Sequence, residues 1–409
     1  MAAVAAAQRG VSVILLDKGD RLGRKLMISG GGRCNVTNRK PLPELIRNIP
    51  GNGRFMYSAL TSFNNEDIIA FFEGLGIRLK EEDRGRMFPI SDKAKTVAEA
   101  LINYIKRLGV TIHLNEKVDQ LLFTDDLVTG ATLVQGGQIA AKSVVVATGG
   151  ASVPQTGSTG DGYPWAVSAG HRIIDLYPTE VPLTSREAFI VNKSLMGLSL
   201  RQVQLTLWDG QKKKVVTEEG DMIFTHFGIS GPVALRLSHY VVSTQQKEGP
   251  YPLLVTIKLL PQIPNVQEEV FKWFAQETKR QAKNVLAHYL PERLVPLLLE
   301  RSGLTLEVTA HHLPQHGVLS LAKNIQSFPV WVSGTLPLKD ATVTGGGVHL
   351  KEINPKTMAS KKKEGLYFAG EILDVHAHTG GYNITVAFST GHLAGASAAD
   401  FVARMTPSL

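Results

Sequence analysis

Between residues 21 and 38 the chain reads RLGRKLMISGGGRCNVTN, and its capacity for chemistry is concentrated there. Gly30, Gly31 and Gly32 free the backbone to bring amides against a ligand, while Arg24, Lys25 and Arg33 carry charge to neutralise a diphosphate or steady an electron-rich ring. The plain alternative is a solvated surface loop; the strand that precedes the segment, of the kind that binds a nucleotide, argues against it. Cys34 is the one cysteine. Beside Arg33 it offers a redox thiol, and without a resolving partner it reads equally as a small packing residue. Asn35 and Asn38 suit side-chain to backbone bonds that hold such a loop.

A second concentration is GLYFAGEILDVHAHTGGYNITVAFSTG, residues 365–391. Here a strand runs out at Ala369, Gly370 admits a ligand, and Glu371 and Asp374 offer carboxylates. Gly380 and Gly381 then precede a helix whose N-terminus attracts electron-rich groups. His376 and His378 have neither helical nor metal-ligand spacing, so the loop-residue reading competes with an acid–base one. QTGSTGDGYPWAVSAG, residues 155–170, sets Asp161 ahead of a helix, as a cap or as a cofactor contact. In HFGISGP, residues 226–232, His226 is a further acid–base candidate.

The elements that must position these groups can be read from pattern. AAVAAAQR followed by Gly10 is a helix, and VSVILLD is a buried strand that stops at Asp17. A strand ending in an acidic residue, about 20 residues after a glycine-rich turn, is the second half of a βαβ nucleotide unit. The spacing puts that turn and its strand ahead of Met1, and predicts a parallel sheet that lacks a central strand and exposes apolar strand edges. Asn64 and Asn65 cap a helix over EDIIAFFEGL, and residues 95–108 form an amphipathic helix. VTIHLNEKV is a strand, residues 119–141 a β-meander turning at Asp125 and at Gly136 to Gly137, and SVVVATGG a strand running into paired glycines.

From about residue 181 to 330 the glycine-rich nucleotide signature disappears. Strand-like VQLTLW and PLLVTIKLL give way to the helical VQEEVFKWFAQETKRQAKNVLAHYL. The expected organisation is a nucleotide domain at 1–180 and 331–409, split by an insert with a β-barrel part (181–262) and a helical part (263–328).

Composition narrows the class. The 409 residues are 43% hydrophobic and 20% charged, enough for a sizeable core, and neither a membrane-length apolar run nor a signal peptide is present. One cysteine allows no internal disulfide and no zinc cluster, which fits a cytoplasmic protein without metal. The net charge of +8 suits an anionic partner, either nucleic acid or phosphorylated cofactor. The runs Lys212 to Lys214 and Lys361 to Lys363 carry no interleaved aromatics and read as solvated loops.

GRKLMISGGGRCNVTN, ATGG, TGSTGDGY, FTHFGISGP, TGGGV and LYFAGEILDVHAHTGGYNITVAFSTG together resemble the BaiN/YhiN-like bacterial flavoproteins, the putative NAD(FAD)-utilizing dehydrogenase or "aminoacetone oxidase" family. The resemblance runs in order from residue 1 to near 400. It implies an α/β, glutathione-reductase-like FAD domain of Rossmann type interrupted by a β-barrel plus helical insert. It places Asp17 and Lys18 at the adenosine ribose and Val118 at the adenine. Arg24, Lys25, Ser29, Gly30, Gly31, Gly32, Arg33 and Cys34 would follow the diphosphate and flavin. Ala147, Thr148, Gly149, Gly370, Glu371, Asp374, Gly381, Asn383 and Ile384 would complete the site, with Asp161 nearby. The chain departs from the family twice: the N-terminal glycine fingerprint is absent, and Ala377-His378 replaces the common Gly-Tyr before TGGYN.

The function so implied is hydride transfer between FAD and an apolar small molecule, of the 3-dehydro-bile-acid C=C reductase type, with no nucleic-acid or membrane partner. Cys34, His226 and His378 are the candidates for proton transfer. No second dinucleotide fingerprint follows, so NAD(P)H would act as a transient donor visiting the substrate cleft. Two rival readings are an FAD-containing RNA-modifying protein and a flavoprotein with impaired FAD binding.

Overall fold

The computed structural model describes residues 1–405; the last positions of the expected second FAD part, 406–409, lie outside the described residues. The chain divides into two compact units, Met1–Tyr177 with Leu338–Leu409, and Pro178–Pro337.

The first unit carries the nucleotide-type elements. Helix Ala2–Ala7 leads to strand Ile14–Asp17, which pairs in parallel with Thr111–Leu114. Strand Val144–Val146 pairs in parallel with Leu366–Phe368. These two pairs are separate two-stranded sheets. Strand Ile14–Asp17, expected to be fully buried, is instead half-open along its length, with Ile14 46% exposed. Within its two-stranded sheet Ile14–Asp17 has a strand neighbour on one edge alone, and its apolar residues stay partly open to water. VTIHLNEKV is not one strand: it breaks at Asn115, whose φ of 57° is left-handed, and the second part begins the antiparallel meander Val118–Thr124, Leu127–Leu133 and Gln138–Ala140. Its first turn lies at Asp125, also left-handed. Helix Asn65–Gly74 starts with a capping box in which Asn64 and Asp67 satisfy each other's backbone amides. The long helix Tyr382–Met405 is lined with Ala, Gly, Ser and Thr, and this lets Leu366–Phe368 and the first helix approach it closely.

The second unit is a closed six-stranded barrel with helices. The strand order is Leu183–Ser185, Gly228–Ser230, Lys214–Phe224, Ser199–Trp208, Leu253–Lys258, Phe328–Thr335. The last strand returns after helices Val266–Gln276, Ala282–Leu286, Val295–Arg301 and Gln315–Gln326, so the expected boundary at residue 330 falls inside it. Helix Pro232–Glu248 also interrupts the stretch read as barrel alone. Along Ser199–Trp208, Leu253–Lys258 and Phe328–Thr335, Leu205, Leu207, Val255, Ile257, Phe328 and Val330 point inward and are fully buried. Alternation of period two closes the barrel on these residues.

Candidate functional site

Strand Ile14–Asp17 delivers Asp17 to a tight turn, where its Oδ1 accepts from the Gly19 amide at 2.7 Å. The Glu116 amide donates to the Asp17 carbonyl at 3.0 Å, so Asp17, Lys18 and the strand beginning at Val118 come together. Lys18 reaches Asp161 and Thr159. Asp161 sits at the N-cap position of helix Gly162–Ser168 but its side chain caps nothing, which corrects the capping reading: the Lys18 charge has captured it.

The helix that begins at Arg24 is regular only to Ile28. Ser29 takes ψ 150°, and Gly30, Gly31 and Gly32 have φ of 57°, 68° and 86°. The chain therefore arches. A Cβ on Gly31 would meet nothing within 4 Å, so the arch borders open space, as a cradle for a flat or extended ligand must. Asn35 Oδ1 and Thr148 Oγ1 are buried without a hydrogen-bond partner, and buried acceptors and hydroxyls of this kind ask for one. The glycine arch, Asp17 and these two unpaired atoms fit a dinucleotide cofactor such as FAD. Ala147 to Gly149 leave strand Val144–Val146 beside them, with Gly149 left-handed at φ 74°.

The basic residues differ from expectation. Arg24 pairs with Asp20. Lys25 donates to Glu371 at 2.7 Å and Ser152 Oγ at 3.0 Å. Arg33 is held by Glu82 and Asp92 and lies 4.1 Å over the Phe88 ring. Each charge proposed for a diphosphate is thus matched by a carboxylate of the chain, most from distant sequence, and Arg33 serves to fold the loop. Cys34 is fully buried at φ 60°, and burial pushes its thiol up to about 11. A redox thiol needs thiolate and access, so Cys34 is a packing residue.

Glu371 is a hub. Besides Lys25 it accepts from Ser152 Oγ at 3.0 Å and from the Thr344 amide at 2.7 Å, tying the helix at Arg24 to the loop at Ser152 and to strand Val343–Val348. Gly370, left-handed at φ 76°, donates its amide to Thr390 at 2.9 Å. Gly381 must be glycine, since a Cβ would lie 2.6 Å from the Thr37 carbonyl. Asn383 is spent on the turn before it, accepting from the Ala377 amide at 2.8 Å and donating to the Ala377 carbonyl at 2.6 Å. Ile384 is half-buried on the first turn of the long helix. His378 is buried, its amide donating to the Asn48 carbonyl at 2.9 Å. His226 lies on an exposed turn of the other unit. Cys34 and His378 belong to the first unit and His226 to the second, so the three proton-transfer candidates do not come together within one unit.

Another group does. Asn52 Nδ2 donates to Asp374 at its carbonyl (2.7 Å) and Oδ2 (3.1 Å). Tyr177 stands edge-on to His376 at 5.7 Å, and Gly51 leaves the room that the His376 ring fills. Burial pushes the Asp374 carboxyl up to about 6, against the opposing bonds from Asn52 and Gly346. Next to Asn52 opens a cavity of about 450 Å3 lined by Pro50, Gly53, Arg54, Phe55, Leu350 and Lys351. The signal in the sequence was NIPGNGRF, residues 48–55, a glycine- and asparagine-rich loop before a helix that the reading of motifs passed over.

A family model described as HI0933-like protein Rossmann domain matches residues 1–397. The chain is 35% identical over 388 residues to a protein of Haemophilus influenzae named ribosomal RNA dihydrouridine synthase, covering 94% of this chain and 92% of that one. A protein of the same name from Escherichia coli is 32% identical over 404 residues, 97% of this chain and 94% of that one. The 3-dehydro-bile acid delta(4,6)-reductase of Clostridium scindens is 29% identical over 418 residues, 98% and 96% of the two chains. Among solved structures, a quinol-fumarate reductase with menaquinol matches with a TM-score of 0.51 at 15% identity, over 100% of this chain and 70% of that one, a likeness of fold.

Proposed function

The chain belongs to the HI0933-like Rossmann-domain family and is an FAD-dependent oxidoreductase, and we propose that it reduces a C=C bond conjugated to a carbonyl, the C5=C6 bond of uracil in RNA. The reactions named for its relatives share this step: hydride and a proton add across an activated double bond, in one case in ribosomal RNA and in the other in a dehydro-bile acid.

The observation that carries the choice of uracil is the cavity lined in part by Asn52, the residue that hydrogen-bonds Asp374. The cavity's lining is mixed: Asn52, Arg54 and Lys351 stand among the apolar Pro50, Phe55 and Leu350, and the two cations suit phosphates on either side of a bound base. This lining suits a polar ring on a phosphodiester chain. The net charge of +8 acts in the same direction. The apolar small-molecule reading keeps support from the 29% identical relative.

Asp17, the Gly30–Gly32 arch, Asn35, Thr148 and the Gly370–Gly381 segment would hold FAD, which in its reduced form would supply the hydride. The chain's own task is the proton. Asp374, its carboxyl pushed up to about 6 by burial, holds one on the carboxyl group that Asn52 orients through Oδ2, and gives it to the carbon that becomes a carbanion-like centre next to the carbonyl. Tyr177 lies within electrostatic reach of that carboxyl, and burial together with the Asp374 charge pushes its phenol up, so it stays neutral beside the acid. NAD(P)H is the reductant in this scheme, in a cytoplasmic setting.

The test is anaerobic reoxidation. Photoreduced protein reconstituted with FAD is mixed with uridine-containing RNA or with a dehydro-steroid, and the flavin band is followed together with product mass. Fast reoxidation by RNA with gain of two hydrogens per reacted uridine is the expected result. Reoxidation by the steroid alone overturns the RNA assignment, and reoxidation by neither overturns the reaction class.

A further inference from the structure

The barrel of residues 178–337 has an outer face that the reaction does not use. We propose that this face docks a single-stranded segment of RNA, with bases stacked on Trp208 and Trp331 and phosphates on Lys214, Lys258 and Lys323. The inference rests on the RNA reading above and adds where the polymer is held.

The strand register assembles it. Lys214 is opposite Trp208, Trp208 opposite Leu254, and Leu254 opposite Trp331, so the four form one row across four strands. Directly opposed residues share a face of a sheet, and the neighbours Leu207, Val255 and Val330 point into the barrel, so this row points out. Trp331 is 51% exposed, unusual for tryptophan without a partner. The Trp208 indole is fixed in place, donating Nε1–H to Thr256 Oγ1 at 2.9 Å. The two indoles are separated by two strand spacings, roughly 10 Å, which leaves space for a base on each.

Below the row, Thr206, Trp208, Thr256, Lys258 and Lys323 wall a cavity of about 410 Å3. Lys214, Lys258 and Lys323 make no ion pair among the described residues. Of the nearby carboxylates, Glu187 is neutralised by Arg301 at 3.1 Å; Glu219 keeps its charge, held by Gln204 at 2.7 Å, against the three lysines. Uncompensated cations beside exposed, oriented indoles make a surface complementary to a polyanion with aromatic faces. By contrast, the Lys361 to Lys363 run is tied down, with Lys363 on Asp126 at 2.8 Å and Lys361 on the Lys351 carbonyl at 2.8 Å. The sequence showed lysines without interleaved aromatics; strand pairing puts the aromatics beside them.

The experiment uses the full chain with FAD and a fluorescent uridine-rich oligoribonucleotide. Trp331→Ala is expected to weaken binding roughly 5- to 100-fold, the scale of one base stack. Lys258→Ala with Lys323→Ala is expected to lower the slope of log affinity against log salt by about 1.4. All these residues face outward, so melting temperatures should match wild type, and dihydrouridine formation at saturating RNA should persist. Unchanged affinity and slope in the variants, or no binding by the wild-type chain, overturns the docking face. Wild-type binding that is weakened in the variants, with no dihydrouridine formed by any of them, upholds the docking face and overturns the assigned reaction.

Discussion

Asp374 concentrates the account at the residue scale. Its carboxyl titrates near 6 in the folded chain and near 4 when unfolded, so the folded state binds the proton more tightly. Stability from this group is full below about pH 4 and declines as pH rises through 6. Because the carboxyl retains some water, the loss comes to about 1–2 kcal/mol, less than the full shift implies. Asp374→Asn should therefore remove a fall in melting temperature between about pH 4 and pH 7 that wild type shows, by differential scanning fluorimetry. If the protonated acid serves the reaction, turnover should also fall as pH rises through about 6, and Asp374→Asn should lower it at least tenfold at pH 6; a flat profile would argue against the role. Cys34 gives the opposite case. Buried and with its thiol near 11, it should resist iodoacetamide at pH 8 until urea unfolds the chain, and Cys34→Ala should leave turnover within about twofold. The sequence showed the Cys34 ambiguity but not its resolution, since what buries the thiol comes from residues far along the chain. Arg33 was misread for the same reason: Glu82 and Asp92, which capture it, are 49 and 59 residues away.

Among elements, local signals were legible and non-local ones were not. The Asn64 cap and the Asp125 turn depend on neighbours in sequence and could be read there. The barrel could not be closed from sequence, because Phe328–Thr335 pairs with Leu183–Ser185 and Leu253–Lys258 across a helical stretch. The glycine arch was legible as glycines, and its shape separates two substitutions. Gly31→Ala meets no atom and strains only the backbone, so it should cost roughly 1 kcal/mol of stability. Its loss of FAD affinity, read by flavin retained on gel filtration, should be larger than that if the arch cradles the cofactor. Gly381→Ala drives a Cβ into the Thr37 carbonyl and should lower the melting temperature as well as flavin retention.

For the whole molecule, the nucleotide-type unit and the barrel unit each have their own core, and among the described residues no helix is long and apolar enough to cross a membrane. The family was legible from ordered motifs over most of the chain, because glycine and carboxylate positions around a cofactor are fixed by its shape. The substrate was not: the cavity proposed for it is assembled from residues 50–55 and 350–351, distant in sequence, and its lining mixes apolar with cationic side chains. The most direct test of the central claim is nucleoside mass spectrometry of ribosomal RNA from cells without this chain, and again after it is restored. The account predicts that one dihydrouridine is lost on deletion, regained with wild type, and not regained with Asp374→Asn. An unchanged dihydrouridine content in the deleted strain would contradict it.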